Sequence, residues 1–203
     1  MLGLPKATEL SKQLPKKAIY AKFNLSQQAK DKFDADVSRI TIVNEISPAT
    51  VAIEAGEDVK SFYILLLSLK RKNYDEHIIS LLSRLIEQNM LFVLECEDKV
   101  KLAVYRNKVI STEWRDKNTT TITLKGLNLD AVWQNIIVQI GDVQIEQGNT
   151  LDEQLATDER RAKLQKEIDK LEKLARAEKQ PKKKFELAQR IVVLKHSIME
   201  KTK

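Results

Sequence analysis

At 203 residues the chain has the length of one ordinary domain plus an extension, and its 42% apolar content is enough to bury a real core. A single cysteine, Cys96, excludes an intrachain disulfide and a cysteine-based metal site, and no run approaches 18 apolar residues, which excludes a membrane span by a helix. The net charge of +6 sits at the ends: six lysines against one glutamate in residues 1–30, 15 basic against 10 acidic side chains in residues 152–203, and an acidic excess between.

In chain order, Pro5 and Pro15 bracket Thr8 to Leu14, a stretch that reads as a short helix with Thr8 or Ser11 as its cap. Ser26 is an N-cap for a helix ending near Asp36, with Ala29 and Phe33 on one face. Arg39 to Ile46 is β-branched and stops at Ser47-Pro48; Thr50 to Ala55 follows, and the pair reads as a hairpin. Phe62 to Leu67 is apolar on both faces, as in a central strand covered on both sides, and its periodicity leaves a buried helix as the alternative. Ile78, Leu81, Leu82, Leu85 and Ile86 recur at helical spacing behind a Tyr74-Asp75 cap.

Met90 to Leu94 predicts a strand, Glu97-Asp98-Lys99 its turn, and Val100, Leu102 and Val104 the returning arm. Val109 to Trp114 and Thr119 to Leu124 read as two more strands separated by Arg115 to Asn118. Asn128 or Asp130 then caps a helix through Val132, Trp133, Ile136, Ile137 and Ile140. The expected class is α+β, a largely antiparallel sheet with packing helices over residues 1–148.

The texture changes in residues 149–203. Leu164, Ile168, Leu171 and Leu174 or Ala175 make a narrow apolar stripe, and Phe185, Ala188, Ile191 or Val192, Lys195 and Ile198 mark a second. Pro181 forbids one unbroken helix of ideal geometry, so a coiled-coil-like antiparallel hairpin, or pairing with another chain, is expected. Leu164, Ile168, Leu171, Phe185, Ile191 and Leu194 are the candidate interface residues. Lys16, Lys17, Lys182, Lys183 and Lys184 are the candidate phosphate contacts, because clustered lysines gain from counterion release on nucleic acid; an acidic protein partner is the alternative for the basic ends.

Chemistry-bearing patterns are sparse. Five glycines in no phosphate-cradling order leave nucleotide hydrolysis without a loop. His77 and His196 are the only histidines and neither has an activating neighbour in sequence. Glu97-Asp98-Lys99 matches the E-x-K end of metal-dependent nucleases, and Glu95, Glu97 and Lys99 form the alternative, catalytic reading; the same triplet stands where a solvent-exposed hairpin turn belongs. Asp75-Glu76 and Asp152-Glu153 complement helix N-termini, and Trp114 and Trp133 suit core packing. No catalytic residue, metal ligand or cofactor site is expected. The opening Met1-Leu2-Gly3-Leu4-Pro5 lacks the apolar core of a signal peptide, which makes cytoplasmic residence the expectation.

Leu4-Pro5-Lys6-Ala7-Thr8, Leu14-Pro15-Lys16-Lys17-Ala18-Ile19-Tyr20, Met90 to Leu94, and Leu124-Lys125-Gly126-Leu127-Asn128-Leu129 occur in an order that resembles a bacterial family of unknown function. Leu171-Glu172-Lys173, Glu178-Lys179-Gln180 and Lys184-Phe185-Glu186-Leu187 are similar to that family's closing motif. The family is often encoded beside DNA methyltransferases and superfamily 2 helicases in restriction-like phage-defence clusters. The resemblance therefore implies an accessory role in DNA modification or defence; with no catalytic pattern among the residues, the expectation is a noncatalytic adaptor that docks a helicase, methyltransferase or nuclease, with DNA contact, direct or through that partner, and self-association left open. The chain departs from the pattern before the Met90 strand, where Ser83 and Ile86-Glu87 replace an expected aspartate and Ile-Pro pair.

Overall fold

The computed structural model describes residues 2–85, 88–145 and 149–199, the last two of these without their side chains. It divides into two compact units, Met1–Val143 and Gln144–Lys203. Met1, Ile86-Glu87 and the Ile198 side chain, all named above, lie outside the described residues.

The first unit is α+β. Its sheet contains β1 (Glu9–Gln13), β2 (Val37–Ile46), β3 (Phe62–Leu69), β4 (Asn89–Cys96), β5 (Lys99–Arg106) and β6 (Lys108–Ser111) in sequential order, with β7 (Arg115–Asp116) also paired to β5. Every pairing is antiparallel except β3 with β4, which run parallel. Only that pair needs a crossover, and α3 (His77–Ser83) supplies it. Among the described residues the unit also holds a 3-10 turn, Lys6–Thr8, and three further α-helices, α1 (Lys16–Phe23), α2 (Gln27–Asp36) and α4 (Leu129–Gly141).

Successive side chains of a strand alternate between faces. Leu65, Leu67, Leu69, Phe92, Leu94 and Cys96 accordingly share one buried cluster with Ile19 of α1, Phe33 of α2 and Ile78, Ile79 and Leu82 of α3. Phe62, Ile64, Leu91 and Val93 point the other way and are fully buried too, with the Phe62 ring 5.1 Å from that of Trp133 in α4. Two-sided burial is why β3 and β4 read as unbroken apolar runs.

Ser26 caps α2 by accepting from Ala29 N–H, and Asn128 caps α4 by accepting from Ala131 N–H. Several expectations are corrected; Arg115-Asp116, read as part of a separator, pairs with β5 as β7. Residues 9–13 form edge strand β1 instead of a helix, because the chain can pair with the free side of β2 there. Thr50 to Ala55 is a loop instead of a hairpin strand: β1 and β3 occupy both sides of β2, and the Thr50 hydroxyl folds the turn by donating to Glu45 C=O while accepting from Ser47 N–H. Thr119 to Leu124 is also not a strand. Gln139 of α4 bonds both backbone groups of Thr123, Asn135 donates to Lys125 C=O, and Ile122 N–H donates to Leu2 C=O beside an isolated bridge from Thr121 to Leu2, so these contacts take the place of a continuous ladder.

The second unit is a pair of helices, α5 (Leu151–Ala177) and α6 (Pro181–Met199), packed as a hairpin. Thr150 and Glu153 form a reciprocal capping box at the start of α5, and Pro181 takes the first position of α6, where its missing N–H costs nothing. Among the described residues no helix is long and apolar enough to cross a membrane.

Candidate functional site

The hairpin seam is built from charge as well as apolar packing. Ile168 and Leu171 are buried, and Leu164, Leu187, Ile191 and Leu194 are half-buried. Arg190 reaches Glu167 at 3.0 Å and Lys195 reaches Glu172 at 2.8 Å. At about 100° per residue, Glu167 and Glu172 bracket the Leu164-Ile168-Leu171 stripe and Arg190 and Lys195 bracket Ile191 and Leu194. The two stripes therefore face each other with an ion pair on either side, as flanking charges do in coiled coils.

Phe185 belongs to another face. On the helical wheel it falls nearly opposite Ile191 and Leu194, and it is 63% exposed, together with Val192 at 65% and Val193 at 64%. The six candidate interface residues thus divide into a five-residue seam and one outward aromatic. Spacing alone does not separate them, because 185, 188, 191 and 192 fall within one loose periodic stripe.

Beside the loop joining the helices, a groove of ≈ 800 Å³ opens between α5 and α6. Leu174, Ala177 and Leu187 contribute its apolar lining, with Lys179, Lys183, Glu186 and Arg190 around them. Leu174 is 49% exposed there. The sequence signal for this groove was the alternative of Leu174 or Ala175 in the first stripe: the seam turns away from Leu174 and leaves it outward.

The five candidate lysines divide as well. Lys182, Lys183 and Lys184 are exposed in the first turn of α6, and Lys17 is exposed on α1. Lys16 is committed internally, donating to an Asp34 carboxylate oxygen at 2.7 Å and to Val37 C=O at 2.5 Å. These contacts anchor α1 to the junction of α2 and β2. Lys16, with Tyr20 O–H as a second donor, holds the Asp34 carboxyl below its usual range, and burial together with Asp34 pushes the Tyr20 phenol up.

The stretch that resembles E-x-K forms the turn between β4 and β5, with Glu97 in a left-handed conformation at φ 57°. Glu95 bonds Lys117 at 2.7 Å, Glu97 meets Lys72 at 3.3 Å and Lys99 lies 3.9 Å from Asp116. Each carboxylate has its own lysine, and among the described residues no group of three or more His, Cys, Asp or Glu gathers for a metal ion.

Two acidic positions are organised beyond what their spacing shows. Asp36 is buried and accepts from Arg71 Nε at 2.6 Å and from Asp75 N–H at 3.0 Å, tying α2 to the loop between β3 and α3. Asp130 accepts from the backbone N–H groups of Glu57 and Val59 at 2.6 and 2.7 Å, and these bonds, led by Val59, lower its pKa. A Cβ at Gly56 would fall 2.2 Å from the Asp130 carboxyl, so the loop needs glycine to wrap it this closely. Both arrangements are structural clasps.

No curated protein and no solved structure matches the chain. Residues 2–198 match the family described as Domain of unknown function (DUF4391), and the chain belongs to that family.

Proposed function

We propose that this protein is a noncatalytic adaptor subunit of a bacterial DNA-modification or phage-defence system, docking a helicase, methyltransferase or nuclease through its C-terminal hairpin. One observation carries the docking step: α6 is apolar on two opposite faces, and only one of them is used within the hairpin. Ile191 and Leu194 look toward α5, whereas Phe185 and Val192 present apolar surface to solvent at the exposures given above. Outward aromatic side chains on a rigid helix are the usual anchors of protein interfaces. The restriction-like setting rests on the family resemblance alone.

Affinity purification of the full chain from its native cell tests this reading. The expected catch is one of the three enzyme classes, lost on combining Phe185→Asp with Val192→Asp while the far-ultraviolet circular dichroism spectrum stays unchanged. Undiminished capture by that variant, or a partner with no role on DNA, would sink it.

A second reading draws on the exposed Lys182, Lys183 and Lys184: direct binding of nucleic acid without sequence preference. It predicts salt-sensitive gel shifts that disappear when the three lysines become glutamates. Shifts that survive the reversal would exclude this tip as their source.

A further inference from the structure

We infer that the groove at the hairpin tip is a receptor for an acidic amphipathic helix of a partner protein. The inference rests on reading the hairpin as a docking arm, and it assigns both a second surface of that arm and the chemistry of what fills it.

Shape comes first. The groove lies between two antiparallel helices and runs along α6 from Lys183 to Arg190, about two helical turns. The cleft between two packed helices is where a third helix seats in a bundle. Its apolar lining, Leu174 with Ala177 and Leu187, offers the contacts that side chains at i, i+3 and i+7 of an incoming helix would cover.

Charge then selects the occupant. Residues 173–190 carry seven lysines and arginines against two glutamates. Arg190 is engaged by Glu167, and Glu178 accepts from Gln180 N–H at 2.9 Å. Among the described residues no ion pair engages Lys179 or Lys183. A second copy of this chain would bring another basic tip against the first, which like-charge repulsion opposes. Nucleic acid would satisfy the lysines and leave Leu174 and Leu187 in water. An acidic helix with an apolar stripe satisfies both, its leucines covering the lining and its carboxylates meeting Lys179 and Lys183.

The test uses the full chain and fluorescence anisotropy with four probes: a helical peptide of roughly 20 residues with leucines at heptad a and d and glutamates at e and g, its lysine-flanked isomer, a scrambled glutamate–leucine peptide, and single-stranded DNA of similar length. The glutamate-flanked helix should bind at least about tenfold tighter than the isomer and the scramble, and Leu174→Asp should remove about tenfold, the scale of a charge placed in an apolar contact. Lys179→Gln with Lys183→Gln should weaken binding about threefold and flatten its salt dependence. Leu174 is half exposed, so the hairpin tolerates the aspartate, and the double glutamine variant leaves packing untouched. Equal affinity for all three peptides, indifference to Leu174→Asp, or binding of DNA alone would overturn the inference.

The two proposals fail separately. Native capture that survives Leu174→Asp and is lost in the Phe185→Asp, Val192→Asp variant keeps the adaptor and removes the groove. Selective peptide binding by a chain whose native partner has no role on DNA keeps the groove and removes the adaptor setting.

Discussion

The sheet unit and the hairpin bury apolar surface by opposite strategies. In Met1–Val143 the central strands are covered on both faces, and Phe62, Ile64, Leu65, Leu67, Leu91, Phe92 and Leu94 are all fully buried. In the hairpin the described apolar side chains that are buried are Leu151, Ile168 and Leu171, and the rest are half-buried or exposed. One unit is specified by packing, the other by a narrow seam and the charges beside it. The same chemical change should therefore cost very different amounts in the two places. Phe92→Ala leaves a cavity in a close-packed core and should lower the unfolding free energy by about 3–5 kcal/mol. Phe185→Ala removes an exposed ring and should stay within about 0.5 kcal/mol. Urea titration of both variants measures this contrast; equal losses would mean that Phe185 is covered and cannot be a docking anchor.

Electrostatics sharpens the same difference. Asp36 is buried while its partner Arg71 keeps 57% of its side chain exposed, so deleting the aspartate frees Arg71 into water and strands Asp75 N–H. Asp36→Ala should cost about 2 kcal/mol, mostly the unsatisfied backbone donor and lost packing. Glu172→Ala removes two exposed hairpin pairs, with Lys195 and Arg176, and should cost less than about 1 kcal/mol. Raising the salt to 1 M should erase most of the Glu172 effect and little of the Asp36 effect, since only the exposed pairs are screened.

Much of the architecture was legible because the deciding forces are local. Pro181, the caps at Ser26 and Asn128, and the unbroken runs in β3 and β4 each act within a few residues, and each appears in the fold where the sequence places it. The misreadings have a common origin. Residues 9–13, 50–55 and 119–124 took their conformation from distant groups: the free side of β2 for the first, the occupied sides of β2 for the second, and Gln139 for the third. None of those partners leaves a periodic mark on the segment itself. The hairpin surface was half legible for a similar reason. Spacing identified an apolar stripe, but the Glu167–Arg190 and Glu172–Lys195 pairs, with the half-burial of Ile191 and Leu194, fix which side of α6 faces α5, and so show Phe185 pointing outward and Leu174 at the groove.

The capping box offers a change confined to one unit. Thr150 Oγ1 accepts from Glu153 N–H, and the Glu153 carboxylate accepts from Thr150 N–H. Thr150→Ala should cost about 1 kcal/mol of hairpin stability. Amide hydrogen exchange should accelerate in the first turns of α5 and not in β3 or β4. Acceleration throughout the chain would show that the two units unfold as one.

Acid should separate the units by the smallest margin. Asp75 is held at about 2, first by the His77 backbone N–H and also by the His77 ring and Lys32, which oppose the effect of burial. A carboxyl depressed in the folded state contributes stability that is present above its unfolded pKa near 4 and is lost as pH falls toward about 2. Partial solvent exposure of Asp75 reduces the contribution to roughly 1 kcal/mol. Asp75→Asn keeps an acceptor for His77 N–H but does not titrate, so the stability of the sheet unit should fall less steeply between pH 4 and pH 2 in the variant than in the parent. Glu153, lowered by Thr150 N–H, plays the corresponding part in the hairpin, and Glu153→Gln should flatten the acid dependence of α5 exchange without touching that of β3. Should Asp75→Asn instead flatten the α5 response, acid would be acting on the hairpin through the sheet unit, and the two would have to be treated as a single cooperative body.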